Sequence, residues 1–395
     1  MPKSMLLLFS VTLSAVAIAD APAAKPVFER AGPFPVGVRT IVIVDSSRQD
    51  EYAGGSRTLV TEIWYPAGES ARGQPRTKFA EYFGPFHKEG SKALKRDLDE
   101  IDRGFDGVSV RGAEMRDGRW PLLVFSHGNG GFRHQNVFQV EHLASHGYVI
   151  ASPDHTGNAS LTPLPGKPLG YDKKGRNQSA MDRPLDVRFL ITALLAAEDP
   201  EARWLARALD PDRVGALGHS FGGFTAVKAV EQDPRIKAIV PMTVAFVATP
   251  TAVPTLVMLA AHDGTVGRAG NFASRGYYLG LKGARNLFVL KRGGHFSFTE
   301  MALINPLFGD GIGRGKGLDG APMEYLGVGE TKRIVNAYTL AFFERHLRAS
   351  APAESYLAEN HFPNELEWWV GDREVKADGA SAAAADTPPS RERKF

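Results

Sequence analysis

Short apolar runs recur along most of the chain, and stretches with helical spacing separate the later ones. The runs are rich in Val, Ile and Leu, which is typical of strands buried on both faces of a sheet. Eight strands are predicted, at residues 40–44, 58–64, 122–125, 149–151, 214–217, 238–240, 255–259 and 287–290. Their alternation with helices indicates an α/β fold, with a mostly parallel, doubly wound central sheet of about eight strands and helices on both faces.

Two insertions interrupt this alternation. Residues 83–120 are rich in charge, and Leu94, Leu98 and Ile101 fall there at helical spacing, which predicts a short amphipathic helix. This helix is either a lid over a site or a surface helix that covers a sheet edge. Residues 296–329 are Gly-rich and carry several apolar side chains that are candidates to face a substrate: Met301, Leu303, Ile304, Leu307 and Phe308. The run 309–315 lacks G-x-G-x-x-G spacing after a buried strand, so we interpret it as flexible and not as a phosphate loop.

The two ends of the chain have compositions of their own. Residues 1–19 have the pattern of a secretory signal peptide, with Lys3 before an apolar stretch and Ala17-Ile18-Ala19 as a small-residue cleavage site. The apolar stretch is shorter than the roughly 20 residues that span a bilayer, although an uncleaved anchor is the alternative. Residues 20–375 are assigned to a single domain. Residues 376–395, rich in Ala, Ser and Pro, are predicted to be a disordered tail.

Composition narrows the classes of function. A chain of 395 residues with 43% hydrophobic content can bury a large core. The formal net charge of +3 is small, and no basic run is interleaved with aromatic residues, so nucleic acid is not an expected partner. No cluster of His, Cys or carboxylates has metal-ligand spacing, so neither a metal nor a cofactor is expected. The signal-peptide pattern predicts a periplasmic or secreted protein without a stable membrane span. Since the chain contains no cysteine and hence no disulfide, its fold must survive export by packing alone.

The most specific motif is Gly218-His219-Ser220-Phe221-Gly222, which lies between the strand 214–217 and a helix-like stretch. A G-x-S-x-G sequence in that context forms a nucleophile elbow, a tight turn that lifts the serine hydroxyl out of the sheet. The two glycines stand where a Cβ would collide with a neighbouring strand or helix. We therefore predict Ser220 as a nucleophile, and the alternative is an ordinary Gly-rich turn.

A serine nucleophile of this kind is followed along the chain by an acid and then by a histidine. The carboxylates between Ser220 and His295 are Glu231, Asp233 and Asp263. The first two lie at the far end of the helix that leaves the elbow. Asp263 follows a predicted buried strand, and the carboxyl ends of such strands are where open α/β sheets place their sites. We predict Asp263 as the acid, and the alternative is an ordinary turn with the next glycine.

The base is chosen from the histidines that follow the acid. His295 follows the strand 287–290 and a short turn, which brings it to the same edge of the sheet. His346 falls in a helical pattern and His361 in a polar C-terminal stretch. We predict that His295 accepts the proton of Ser220 while Asp263 fixes the tautomer of its imidazole. A structural loop histidine is the alternative.

A glycine-dense turn at residues 126–132 follows another buried strand. Acyl transfer needs two backbone N–H donors for the developing oxyanion, and glycines allow a loop to present one of them. We predict an oxyanion hole formed by the backbone N–H groups of Phe221 and Asn129. His127, in the same turn, is expected to brace the loop by hydrogen bonding and not to transfer protons.

Residues 121–128, 142–150 and 218–223 together resemble the platelet-activating factor acetylhydrolase and dienelactone-hydrolase-like group of α/β hydrolases, and the resemblance extends over about residues 35–347. It implies an α/β-hydrolase fold and a serine esterase or lipase that acts on carboxylic esters. Two features depart from the group. The strand 238–243, after which the acetylhydrolases place their acid, carries no carboxylate, which leaves Asp263, as in dienelactone-hydrolase-like relatives. Dienelactone hydrolases also use a cysteine nucleophile, which this chain lacks.

These observations predict a serine carboxylic-ester hydrolase that acts on a small-molecule or lipid ester through an acyl-enzyme. Two alternatives stay open. The same three residues could hydrolyse amides, as in a serine peptidase, because a triad and an oxyanion hole do not by themselves distinguish an ester from an amide. The chain could also be a non-catalytic binding protein of this fold, although such a protein has no chemical need for all three residues together.

Overall fold

The structure of the protein, a computed structural model, describes residues 26–205, 207–244, 249–307, 309–376 and 382–383. The predicted signal peptide lies outside these ranges, as does most of the predicted tail. Within the described ranges, no helix combines the length and the apolar character that crossing a membrane requires.

The described residues form 16 strands: β1 (Val36–Gln49), β2 (Ser56–Pro66), β3 (Val110–Arg111), β4 (Trp120–Ser126), β5 (Val149–Pro153), β6 (Leu161–Leu164), β7 (Lys167–Gly170), β8 (Leu209–His219), β9 (Ile236–Met242), β10 (Thr255–Ala260), β11 (Arg285–Leu290), β12 (Arg314–Lys316), β13 (Pro322–Glu324), β14 (Leu366–Val370), β15 (Arg373–Glu374) and β16 (Ala382–Ala383). Twelve of them form one sheet, in the order β16-β15-β14-β11-β10-β9-β8-β4-β5-β2-β1-β3. All eight predicted strands belong to it.

The central strands of this sheet run parallel. Neighbouring strands from β5 through β4, β8, β9 and β10 to β11 pair in parallel, whereas β2 and β14 join the two sides of this block antiparallel. Strand β14 was not predicted. It pairs with β11 and buries Trp368 completely. The carboxyl ends of β8, β10 and β11 therefore meet at one edge, which is where an open α/β sheet positions a site.

Nine helices occur in the described residues: α1 (His87–Leu94), α2 (Leu98–Asp102), α3 (Val137–Ser145), α4 (Arg176–Ala196), α5 (Phe221–Gln232), α6 (Gly267–Gly280), α7 (Met301–Ile304), α8 (Val328–Arg348) and α9 (Ala351–Leu357). They cover both faces of the sheet because successive strand residues point to opposite sides. In β4, Leu123 and Phe125 pack in the cluster that holds α3, α8 and α9, whereas Leu122 and Val124 pack in the cluster that holds α4, α5 and α6. The predicted doubly wound architecture is confirmed.

The first insertion forms two short helices in place of the single predicted one. Leu98 and Ile101 of α2 pack with Phe79, Phe132 and Ile304 in a separate apolar cluster above the main sheet. The same insertion also contributes β3 to the outer edge of the sheet, beside β1. The insertion thus adds a strand to the edge of the sheet, and residues at the end of α1 line the cavity described below. Whether its helices act as a lid stays a prediction.

Candidate active site

Ser220 occupies the turn between β8 and α5. Its φ of +55° and ψ of −117° lie outside the regions that side-chain-bearing residues ordinarily adopt. Its backbone N–H donates to the carbonyl oxygen of Met242, 2.7 Å away at the end of β9, which holds the turn against the sheet. A strained serine between a strand and a helix is the geometry of a nucleophile elbow.

The glycines of the motif are required by close packing, as predicted. A Cβ on Gly222 would lie 1.8 Å from the carbonyl oxygen of Ser126 in β4. A Cβ on Gly218 would lie 2.4 Å from the backbone of Gly222. Both distances are far below van der Waals contact, so the elbow can approach β4 only with glycine at these positions.

The structure brings the predicted acid and base together. Nδ1 of His295 lies 2.8 Å from Oδ2 of Asp263, and both side chains are buried. The other carboxylate oxygen, Oδ1, accepts from the backbone N–H groups of Thr265 and Val266, at 3.0 and 2.9 Å. Because a carboxylate only accepts, Nδ1 of His295 carries the proton in this contact, and Nε2 is then the basic nitrogen of the ring.

Ser220 and His295 line one cavity of about 950 Å³, together with Asn129. No hydrogen bond joins the Ser220 hydroxyl to the His295 ring in the structure. Hydrogen bonds of this kind are often long in ligand-free sites and tighten when substrate binds. The cavity therefore holds the predicted nucleophile and base on a common wall.

The two predicted oxyanion donors belong to different segments, since Phe221 lies in the elbow itself and Asn129 lies in the turn after β4. Gly128 donates its backbone N–H to Oε1 of Gln135, 2.9 Å away, and Gly130 donates to the carbonyl oxygen of Asn158, 3.0 Å away. Asn129, between them, donates its backbone N–H to no group in the described part of the chain. The same holds for the backbone N–H of Phe221, the first residue of α5, as is usual for the first turn of a helix. Of the two residues, Asn129 lines the cavity of Ser220 and Phe221 does not, so the predicted oxyanion hole stays a prediction.

His127 braces this loop, as predicted. Its Nε2 accepts from the backbone N–H of His155, at 3.1 Å, and its Nδ1 donates to the carbonyl oxygen of Gly128, at 2.7 Å. Burial, with a further contribution from nearby Arg183, holds the pKa of His127 well below its usual value. A buried neutral imidazole with both nitrogens engaged fixes the backbone beside Asn129.

A hydrogen-bonded relay connects three loops around Ser220. No sequence motif indicated it. His219, the residue before the predicted nucleophile, donates from Nε2 to the carbonyl oxygen of His295, 2.9 Å away. Its Nδ1 accepts from the side-chain amide of Gln135, at 3.0 Å, and the amide oxygen of Gln135 accepts from Gly128. The relay joins the elbow to the loop that carries His295, here called the base loop, and to the glycine-dense turn 126–132, here called the oxyanion loop. Only the tertiary structure identifies Gln135, since it belongs to no motif.

A second Ser-His-Asp set is present but buried. The Ser126 hydroxyl lies 3.0 Å from Nε2 of His155, whose Nδ1 lies 2.9 Å from Oδ2 of Asp186. At most 1% of any of these three residues is exposed, and none lines the cavity of Ser220. Asp186 is also paired with buried Arg57. This set has the contacts of a triad without access for a substrate, so its role is structural.

The first insertion forms part of the cavity wall. Leu94, Lys95 and Arg96 line it from the end of α1. Arg96 donates from Nη1 to the carbonyl oxygens of Leu303 and Ile304, at 2.9 and 2.7 Å, which ties the first insertion to the second. Of the five apolar residues predicted to face a substrate, Met301, Ile304 and Leu307 line the cavity, Leu303 does not, and Phe308 lies outside the described residues.

One group of candidate metal ligands occurs in the described part of the chain. His87, Asp97 and Asp99 offer ligand atoms within 4.8 Å of one another on the surface of the first insertion. The two aspartates are exposed, and the group does not line the cavity of Ser220. Exposed acidic groups of this kind are common without an ion, so no metal role follows.

Comparisons with known proteins support the class of fold. The family model described as platelet-activating factor acetylhydrolase, isoform II, matches residues 25–168, and the model described as alpha/beta hydrolase fold matches residues 121–263. The platelet-activating factor acetylhydrolases of Canis lupus familiaris and Bos taurus are 27% and 29% identical to this chain over 149 and 158 residues. These alignments cover 30% and 32% of this chain and 34% and 35% of the relatives, so the chain spans about a third of the length of the curated relatives it matches.

A solved structure extends the likeness to most of the chain. The ferulic acid esterase from Streptomyces cinnamoneus is 27% identical, with a TM-score of 0.65, and the match covers 84% of this chain and 93% of that esterase. The parallel block of the sheet, the helices on both of its faces and the strained serine after β8 are the features expected of this architecture. The chain therefore has an α/β-hydrolase fold and is similar to esterases of that fold.

Proposed function

We propose that the protein is a carboxylic-ester hydrolase in which Ser220 is the nucleophile, His295 the general base and Asp263 the residue that orients the base. The backbone N–H groups of Phe221 and Asn129 form the oxyanion hole. The observation that carries this proposal is that His295, paired with buried Asp263, lines one cavity together with the strained Ser220.

The geometry supports a two-step reaction. Oγ of Ser220 attacks the ester carbonyl carbon while Nε2 of His295 takes the hydroxyl proton, and Asp263 stabilises the resulting imidazolium. The carbonyl oxygen becomes an oxyanion that accepts from the two backbone N–H groups. Collapse of this intermediate breaks the bond to the alcohol oxygen, which takes the proton from His295, and leaves an acyl group on Ser220. Water activated by His295 then releases the carboxylic acid.

The cavity wall favours an ester with a sizeable apolar part. Its apolar side chains come from three segments. These are Leu94 in the first insertion, Phe132 at the end of the turn 126–132, and Met301, Ile304 and Leu307 in the second insertion. Burial of apolar surface supplies binding free energy without a directional contact, so these walls fit an alkyl or aromatic group. The similar proteins are an acetylhydrolase family and a ferulic acid esterase, which favours esters over amides as substrates.

The test compares wild type with Ser220→Ala on p-nitrophenyl esters of graded acyl length and on aminoacyl p-nitroanilides. We expect wild type to hydrolyse esters in preference to amides, and Ser220→Ala to lose at least about 10³-fold in kcat while it stays folded. Ester turnover by Ser220→Ala equal to that of wild type would overturn the proposal. Preferential amide turnover would support the peptidase alternative, and absence of turnover in wild type would support a binding protein.

The two Ser-His-Asp sets provide an internal control. A fluorophosphonate probe reacts with an activated serine, so we expect the labelled peptide to carry Ser220 and not Ser126, which no solvent reaches. Ser126→Ala is the matched control, because it removes the serine of the buried set of Ser126, His155 and Asp186. We expect this variant still to be labelled at Ser220. Labelling at Ser126 would reverse the assignment of the two sets.

We also propose that the protein acts after export, in the periplasm or outside the cell. The pattern of residues 1–19 supports this. Expression of the full chain in a Gram-negative host, with cell fractionation and N-terminal sequencing, tests it. A product that stays in the cytoplasm with residues 1–19 attached would contradict the proposal.

A further inference from the structure

We propose that Asp310 is a positioning residue that holds the loop of the acid and the loop of the base together. The inference rests on the function proposed above and assigns a role to the Gly-rich segment of the second insertion. The sequence analysis interpreted residues 309–315 as a flexible run. In the structure this segment instead supplies contacts to both loops.

The Asp310 carboxylate accepts from both catalytic loops at once. Its Oδ1 accepts from the backbone N–H of His295, at 2.9 Å, and from the backbone N–H of Gly264, at 3.0 Å. Its Oδ2 accepts from the Thr265 hydroxyl, at 2.7 Å. One donor belongs to the base itself, and the other two belong to the residues that directly follow Asp263. Hydrogen bonds to a charged acceptor are among the stronger ones in proteins, so this carboxylate is an effective link.

Backbone contacts dock the same segment against the base loop. The carbonyl oxygen of Asp310 accepts from the backbone N–H of Phe296, at 2.9 Å, and the carbonyl oxygen of Gly311 accepts from the Ser297 hydroxyl, at 2.9 Å. Gly311 has a φ of +105°, and a Cβ there would lie 2.6 Å from the backbone nitrogen of Ser297. Glycine is therefore needed at this position because of close approach to the base loop.

These contacts fix the main chain of the base on both of its sides. The N–H of His295 donates to Asp310, and its carbonyl oxygen accepts from His219 of the elbow. The 2.8 Å contact between His295 and Asp263 joins residues 32 positions apart on separate loops, so its geometry depends on how those loops are held. Asp310 links the backbone of one loop to the backbone of the other, next to that contact.

The consequence for catalysis is a loss of alignment when the link is removed. A displacement of about 1 Å at a reacting group can lower the rate about 10²-fold without any change in the reacting residues. The carboxylate of Asp310 does not line the cavity of Ser220. We therefore expect its removal to lower kcat and to leave KM nearly unchanged.

The experiment compares Asp310→Ala, Asp310→Asn and Asp319→Ala in the full-length protein, with steady-state kinetics on the best p-nitrophenyl ester and thermal unfolding of each variant. We expect Asp310→Ala to lose about 10- to 100-fold in kcat, with KM within about twofold of wild type. Asp310→Asn should recover most of the loss because its amide oxygen can still accept from His295 and Gly264. Asp319→Ala, an exposed aspartate of the same insertion, should match wild type.

Wild-type kcat in Asp310→Ala would overturn the inference, as would a loss in Asp310→Asn as large as that in Asp310→Ala. If Asp310→Ala does not fold, the kinetics of Thr265→Val test the inference in its place. That variant removes the hydroxyl donor to Oδ2. Because Thr265 also lines the cavity, a lower kcat with an unchanged KM supports the link, and an unchanged kcat or a change in KM alone rejects it. The proposed function fails separately, when wild type turns over no ester or prefers amides, or when Ser220→Ala keeps the activity.

Discussion

Nδ1 of His295 lies 2.8 Å from Oδ2 of Asp263, although the two residues belong to loops that follow different strands. Strands β10 and β11 pair in parallel, in register from Thr255 opposite Arg285 to Ala260 opposite Leu290. Their carboxyl ends therefore lie side by side, and a side chain shortly after each strand reaches the other. The pairing of β10 with β11 by itself brings the loops of Asp263 and His295 close together, independently of their side-chain contact.

The first prediction concerns this contact. Asp263→Asn should stay folded and lose about 10³- to 10⁴-fold in kcat on p-nitrophenyl esters, because an amide can hold His295 in the tautomer that presents no basic Nε2 to the serine. Kinetics and circular dichroism check this. Glu231→Gln is the control, since that carboxylate was also weighed as the acid and is exposed at the end of α5. A comparable loss in Glu231→Gln would contradict the assignment.

The second prediction concerns the relay through Gln135. Gln135→Leu removes both the acceptor of the Gly128 N–H and the donor to His219, so we expect a fall of about 10- to 100-fold in kcat with a smaller change in KM. Gln178→Leu, which removes one hydrogen bond to Asp182 within α4, should keep wild-type kinetics. Equal kinetics of both variants would show that the relay does not orient the site.

The third prediction concerns the elbow. Gly222→Ala places a Cβ 1.8 Å from the carbonyl oxygen of Ser126. The carbonyl oxygen is part of the backbone and the Cβ is bonded to it, so neither atom can move away unless the main chain shifts. We expect destabilisation of more than about 3 kcal/mol, or no soluble protein, by urea unfolding. Gly329→Ala is the control, because a Cβ there meets nothing within 4 Å and the position lies in α8. Its stability should equal or exceed that of wild type.

The fourth prediction concerns pH and the buried set of Ser126, His155 and Asp186. Burial, with nearby Arg183, lowers the pKa of His155 to about 3, below the value of about 6.5 for an exposed histidine. The unfolded chain therefore binds one more proton at this position between these two pH values. The stability contributed by neutral His155 is fully present above pH 6.5 and is lost as the pH falls toward 3, by up to about 1.4 kcal/mol per pH unit.

Urea unfolding of wild type and His155→Asn between pH 7 and pH 5 measures this effect. The asparagine amide can still donate to Asp186 but does not titrate, so the variant should lose less stability per pH unit than wild type does. Equal slopes for the two proteins would show that His155 is not the titrating group. Activity is not the readout, because this set does not line the cavity of Ser220.

The sequence could predict most of the sheet because its central strands are buried on both faces and read as continuous apolar runs. It did not reveal β14, where Leu366-Glu367-Trp368-Trp369-Val370 has neither a long apolar run nor a clear alternation. This strand pairs antiparallel at the side of the parallel block, and its burial is decided by β11 and α8. The short strands β3, β15 and β16 carry too few residues for any periodicity.

Candidate catalytic residues could be predicted because each lies in or just after the turn that follows a strand, and a parallel sheet brings such positions to one edge. The residues that hold them could not. Asp310 lies in a run whose glycines indicated flexibility, yet Gly311 is glycine because the base loop packs against it. Gln135 belongs to no sequence motif. Its amide accepts from Gly128 and donates to His219 because the fold brings these two loops together around it.

The sequence by itself determined the strand pattern, the elbow and the order of nucleophile, acid and base, because these depend on local spacing along one strand and the turn that follows it. Only the tertiary structure decided which of the two Ser-His-Asp sets opens to a cavity, and which groups fix the base on both sides. Access and alignment depend on segments far apart in the chain, and spacing along a single strand contains no information about them.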